Sequence, residues 1–169
     1  MKKTLALIAA SLGLAGGVAD AQTAPAKPAP AAAPAPSPSY GRLITLAEAK
    51  TVAAAAEAEA AKNGWTMTIV ITEPNGAVVL IHKMDGTQYA STDIARGKAE
   101  TASGFRRPTA AFQDAVKAGT LNAIFAGALA IDGGELLLVD GKIVGAIGVS
   151  GGTPAQDGVV ARLAAGALK

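Results

Sequence analysis

Residues 135–149 read ELLLVDGKIVGAIGV. Two apolar runs, Glu135 to Val139 and Lys142 to Val149, flank Asp140-Gly141. An Asp-Gly pair tolerates positive φ at both centres of a two-residue turn, and that turn matches the twist of antiparallel strands. The stretch therefore predicts a β-hairpin. Upstream, Trp65 to Thr72 alternates: Trp65, Met67, Ile69 and Ile71 share one face, and Thr66, Thr68, Val70 and Thr72 share the other. That spacing predicts a strand with one half-polar face. Glu73-Pro74-Asn75-Gly76 supplies a tight turn, and Ala77 to Met84 returns as a second strand ended by Asp85-Gly86.

Helices fill the intervals. Thr45-Leu46-Ala47-Glu48 is a capping box opening an Ala-rich helix to Lys62, stopped by Asn63-Gly64. Ser91-Thr92-Asp93 starts a second helix through about Phe105, and Pro108-Thr109 breaks it and caps a shorter one, about Ala110 to Ala118. Leu121 to Ile131 is apolar and compatible with a short strand. After Gly151-Gly152-Thr153, Pro154 suits the first turn of a last helix ending near Leu168. The order is α-β-β-α-α-β-β-α. Neighbouring strands are joined by hairpins, so the fold class is α+β, an antiparallel sheet flanked by helices.

The chain has 169 residues, half of them hydrophobic and only 4% aromatic, so the core is built from small and branched aliphatics. Cys is absent and there is one His. Disulfides, Cys-ligated zinc, iron–sulfur clusters, thiol catalysis and multi-His metal sites are thereby excluded within one chain. A formal net charge of +2 argues against a nucleic-acid surface. Lys2 and Lys3, the apolar run Leu5 to Leu14, and Ala19-Asp20-Ala21 read as a secretory signal over residues 1–21, cut before Gln22. Residues 22–39 are mostly Pro and Ala and predict an extended spacer. Residues 40–169 form the folded domain. The expected location is the bacterial periplasm or exterior, with no membrane contact after cleavage.

Gly148-Val149-Ser150-Gly151-Gly152 fits the G-x-S-x-G elbow of hydrolases. A serine nucleophile needs a His base placed after it, whereas His82 lies well upstream, so a glycine turn is the better reading. A third reading places an anion on the free backbone N–H groups of Ser150 to Thr153 at the start of the last helix. In the second helix, Ala95, Ala99 and Ala102 make a smooth face, while Lys98, Thr101 and Phe105 recur at i, i+3 and i+7. Arg96 and Glu100 are spaced to pair, and Arg106 and Arg107 follow at the helix end. This grouping suits an apolar ligand bearing carboxylates, set against the alternative of an ordinary amphipathic helix. His82, in the second strand, is either a partly buried structural residue or a ligand.

Three blocks carry a family resemblance. They are Lys83-Met84-Asp85-Gly86 with Ser91; Ala95 through Lys98-Ala99 and Thr101-Ala102 to Phe105, then Pro108-Thr109; and Gly133-Gly134 with Gly145 to Gly152, followed by Gln156-Asp157. In this order the chain resembles the HbpS/GlcG family of haem-binding, haem-degrading-like proteins and the C-terminal domain of some PduO-type proteins. The resemblance spans about Leu43 to Ala165. It implies a profilin-like sheet of about five strands, homo-oligomers and, in some members, haem as cofactor. One departure is that the acidic pair often following Gln is here Asp157 and then Gly158.

The leading expectation is an exported, oligomeric small-ligand-binding protein for haem or a related tetrapyrrole. Its ligand-binding residues are Lys98, Thr101, Phe105, Asp85, Arg106, Ser150, Gly151 and Gly152. His82 is the candidate iron ligand, beside Met67, Met84, Tyr40 and Tyr89 as softer or phenolic choices. No catalytic residue is assigned, because no nucleophile–base pair is visible. An enzyme or accessory protein for a small organic acid, using Lys98, Thr101 and Asp85, is the second reading. A purely structural module is the third.

Overall fold

The computed structural model describes residues 36–121 and 128–168. The elements are α1 (Leu46–Lys62), β1 (Thr68–Thr72), β2 (Val78–Lys83), α2 (Ser91–Phe105), α3 (Thr109–Lys117), β3 (Gly134–Val139), β4 (Lys142–Ser150) and α4 (Pro154–Ala165). Their order is the one the sequence predicts. The strands pair antiparallel in the order β2-β1-β4-β3, so the two hairpins meet along β1 and β4.

Among the described residues the sheet has four strands where about five were expected. Tyr40 adds one parallel bridge to Ile143, secured by Gly41 N–H donating to Ile143 O at 2.8 Å and Ile143 N–H to Ser39 O at 2.9 Å. This short pairing lies on β4 beyond the last β1 partner, Thr72 opposite Ala146. Residues 128–131 form no strand, and 122–127 of the same ambiguous stretch lie outside the described residues.

Local chemistry accounts for the helix ends. Thr45 and Glu48 close a reciprocal capping box on α1, and Thr153 and Gln156 close another on α4. Asp140 and Gly141 take φ of 50° and 70°, as the tight hairpin turn requires. Two expectations need correction. Thr109 does not cap α3 from outside; it lies in the first turn, and its hydroxyl accepts from Gly134 N–H at 2.8 Å. α4 stops at Ala165, three residues early, at Gly166.

The layers follow from side-chain size. On one face, Val52, Ala53 and Ala56 of α1 and Val160, Ala161 and Ala164 of α4 enclose Ile69, Ile71, Leu137, Ile147 and Val149. The other, half-polar face of β1 is covered as well, and every β1 residue is buried. α2 covers that face, packing Ala99 and Ala102 on Leu136, Ile143 and Ala146. The approach is close enough that a Cβ at Gly148 would run into Ala95 O and Ala99 N. Small residues on both sides are what allow a helix to lie this near the backbone of a sheet.

Candidate functional site

Lys98 is the largest fully buried side chain of the described residues, 1% exposed. Its position follows from the helix period: Ala95, Lys98 and Ala102 share the face that meets the sheet. Nζ donates to Asp157 Oδ2 at 2.7 Å and to Val149 O at 3.0 Å, and Asp157 Oδ1 accepts from Gly152 N–H at 2.9 Å. One ammonium and one carboxylate thus tie α2, the end of β4 and the first turn of α4 together. Gly133 makes the room: its φ is 118°, and a Cβ there would lie 2.9 Å from Nζ and 2.8 Å from Val149 O.

Thr101 is also engaged inside the fold. Its hydroxyl donates to Gly97 O at 2.7 Å and accepts from Leu129 N–H at 2.8 Å. The glycine turn after β4 is similarly answered from within. Besides Gly152, Thr153 N–H donates to Gln156 Oε1 at 2.8 Å, and Ser150 is buried. An anion at this helix start would have to displace those internal acceptors.

The sheet register separates Ser150 from His82. Ser150 pairs with Thr68, on the α2 side with Gly148, whereas His82 pairs with Ile69, which faces α1 and α4. A serine–histidine couple is therefore absent. His82 is half-exposed on the outer strand, with Nε2 3.2 Å from Glu57 Oε2 of α1.

The remaining predicted residues fall at opposite ends of α2. Asp85 is exposed in the turn before the helix, and Arg106 caps its far end with φ of 54°. A 15-residue helix puts about 22 Å between those ends. At the far end Phe105 meets Phe112 edge-on at 5.2 Å, Arg107 lies 5.5 Å from the Phe112 ring centre, and Arg106 lies 5.9 Å from that of Tyr40. Cations over ring faces and beyond a helix C-terminus are both favourable placements. Neither guanidinium has a carboxylate partner among the described residues.

A cleft opens beside this end. It spans about 730 Å³ between α2 and the β1–β2 turn, lined by Tyr40, Pro74, Gly76, Ala77, Arg96 and Glu100. Arg96 and Glu100 pair at 2.7 Å on its wall, as their spacing predicts. The Tyr40 hydroxyl donates to Ser103 O at 2.9 Å, and its ring also borders two smaller clefts. This volume is in the range of small-ligand sites. Of the predicted ligand set, the structure thus sets Arg106 against Tyr40 and Phe105 against Phe112, keeps Lys98 and Thr101 in the packing, and leaves Asp85, Gly152 and His82 elsewhere.

Sequence reasoning missed a second charged cluster. Arg162 Nη1 of α4 donates to both oxygens of Asp132 at 3.1 and 3.2 Å and lies 3.6 Å from Glu135 Oε1 of β3. Burial pushes the Glu135 carboxyl up to about 7, with Arg162 opposing the rise and Asp132 adding to it. The available signal was the strand period, which puts Glu135 on the face of Leu137 and so against α4.

The family profile described as "Haem degrading protein HbpS-like" matches residues 44–166. The chain belongs to the HbpS-like family. GlcG of Escherichia coli K12 is 37% identical over 93 residues, 54% of this chain and 69% of GlcG. The crystal structure of a double mutant of Streptomyces reticuli HbpS has a TM-score of 0.70 at 29% identity, covering 83% of this chain and 99% of that one. The crystal structure of a PduOC:haem complex has a TM-score of 0.68 at 24% identity over 75% of this chain and 96% of that one, which establishes a common fold. The HbpS-like family and the α+β sheet-and-helix fold expected from the sequence blocks are both borne out.

Proposed function

We infer that this chain binds haem or a related tetrapyrrole, at the end of α2 that carries Phe105 and Arg106, where Arg106 lies over the ring of Tyr40. The observation that carries the reading is membership of the HbpS-like family over residues 44–166. The local chemistry fits such a guest. Tyr40 and Phe105 are half-exposed rings for the macrocycle, and the guanidinium groups of Arg106 and Arg107 suit its carboxylates. Tyr40 offers a phenolic iron ligand on this side of the molecule, and His82 offers an imidazole on the opposite face of the sheet.

Titration of the purified protein with haemin, followed at the Soret band, tests the reading. A saturable shift, weakened by Arg106→Glu with Arg107→Glu, is the expected result. Absence of any saturable shift overturns it. Tyr40→Phe and His82→Ala then separate a phenolic from an imidazole ligand by which variant changes the spectrum.

The reading includes export and assembly into homo-oligomers. Residues 1–21 support export through their charged start, apolar run and small-x-small ending. N-terminal sequencing of protein recovered from the periplasm is expected to begin at Gln22. Solution mass in the presence and absence of haemin is expected to exceed that of one chain.

A further inference from the structure

The seam between α4 and the start of β3 holds two carboxylates and one guanidinium. Asp132 is well held: Arg162 donates to both its oxygens, and Gly133 N–H donates to Oδ1 at 2.7 Å. Its backbone N–H donates in turn to Gln113 Oε1 of α3 at 3.1 Å. A Cβ at Gly158 would fall on this carboxylate, so α4 can receive it only because residue 158 is glycine. Glu135 is differently placed. It is 9% exposed, lies opposite Ile147 in the register, and its carboxylate is held less closely than that of Asp132. Its one ionic neighbour is Arg162, at 3.6 Å, already committed to Asp132.

We propose that this seam is a proton-sensitive latch, in which Glu135, on losing its proton, competes with Asp132 for the one guanidinium of Arg162. With Glu135 protonated, the cluster holds one positive and one negative charge and closes on Asp132. With Glu135 ionised, two negative charges share one positive charge in a place largely shut off from water. Arg162 is half-exposed and can swing between them. The other groups packed around the seam cannot take its place. Lys98 of α2 and Asp157 of α4 are committed to each other, and α3 presents the neutral amide of Gln113. Loosening Asp132 frees the segment before β3, whose Leu129 N–H is held by Thr101 of α2. The latch therefore couples a proton to the contact between α2 and that segment.

The test uses the whole protein. Carboxyl-carbon NMR follows Glu135 from pH 4 to 9, and hydrogen exchange follows the amides of Leu129 and Gly133, corrected for base catalysis. Glu135 is expected to titrate around neutrality. Exchange at both amides is expected to rise about ten-fold across the same interval, the effect of one pKa unit of coupling. In Glu135→Gln the corrected exchange stays flat. Titration of Glu135 below pH 5, or the same exchange profile in wild type and Glu135→Gln, overturns the latch. Asp132→Asn provides an independent arm, because removing the rival charge should move the Glu135 midpoint down. An unmoved midpoint rejects the competition even if the other variant fails to fold.

Discussion

Asp157 and Arg162 stand five residues apart on α4, and each belongs to a charged cluster, yet the two clusters are built on opposite principles. At Asp157 every group is answered. The ammonium of Lys98 meets one carboxylate oxygen, Gly152 N–H meets the other, and Val149 O takes a second ammonium proton. At Arg162 one guanidinium serves two carboxylates, closing on Asp132 at 3.1 and 3.2 Å and staying 3.6 Å from Glu135. A fully answered pair tolerates deep burial and fixes three elements against each other. An under-answered one holds a proton instead, with its carboxyl raised to about 7.

The hardest way to break that comparison is to remove Lys98. Lys98→Ala leaves Asp157 buried and unpaired and is expected to destabilise the fold by about 3–5 kcal/mol in urea unfolding. Replacing both members with apolar residues, Lys98→Met with Asp157→Leu, should recover most of that loss, because two desolvation costs vanish with the pair. A cost for Lys98→Ala below about 1 kcal/mol would show the site to be wetter than its geometry. Next in size is Gly133→Ala, which demands a φ foreign to L residues and pushes a methyl against Nζ, Val149 O and Asp157 Cβ. About 2–3 kcal/mol is expected, read in the same assay.

What could be read from the chain was local. Asp140-Gly141, the capping box at Thr45, Pro154 at the start of the last helix and the turn at Pro74-Asn75-Gly76 each specify a piece of backbone from adjacent residues, and each is present. The family followed from short blocks in order. The site was harder. The recurrence of Lys98 with Thr101 and Phe105 reads as a ligand group, although the same helix period places Lys98 between Ala95 and Ala102, on the covered face. Its partner Asp157 lies 59 residues away, so only the meeting of α2 and the first turn of α4 at the end of β4 brings the two together. Tyr40 reads from the chain as a phenolic iron ligand, but its place between three clefts comes from the bridge to Ile143 and the bond of its hydroxyl to Ser103 O, 63 residues away, which no local pattern signals.

Glu135 sharpens the comparison through pH. Its folded value of about 7 lies above the ordinary 4.5, so the folded state keeps a proton that the unfolded chain has lost. The stability it supports is fully present below about pH 4.5 and declines as pH rises through about 7. Glu135→Gln removes that decline. Relative to wild type, the variant should gain about 1–2 kcal/mol between pH 5 and pH 8, after allowance for solvent screening. Chemical denaturation at both pH values measures it, and an equal difference at the two pH values would contradict the raised carboxyl.

The smallest effect comes from an exposed control. Glu48 is held at about 2 by Arg42 and by the backbone and hydroxyl of Thr45, at the surface rather than in the core. Its folded value lies below the ordinary one, so the sign reverses: this contribution is present above about pH 4.5 and is lost as pH falls through about 2. Thr45→Ala removes the cap from α1 and is expected to cost about 1 kcal/mol at neutral pH. From pH 5 to pH 8 that cost should stay constant, where the Glu135→Gln difference grows. If both variants changed alike over that interval, the contrast between the clusters would reflect general charge on the chain and not burial at the α4–β3 seam.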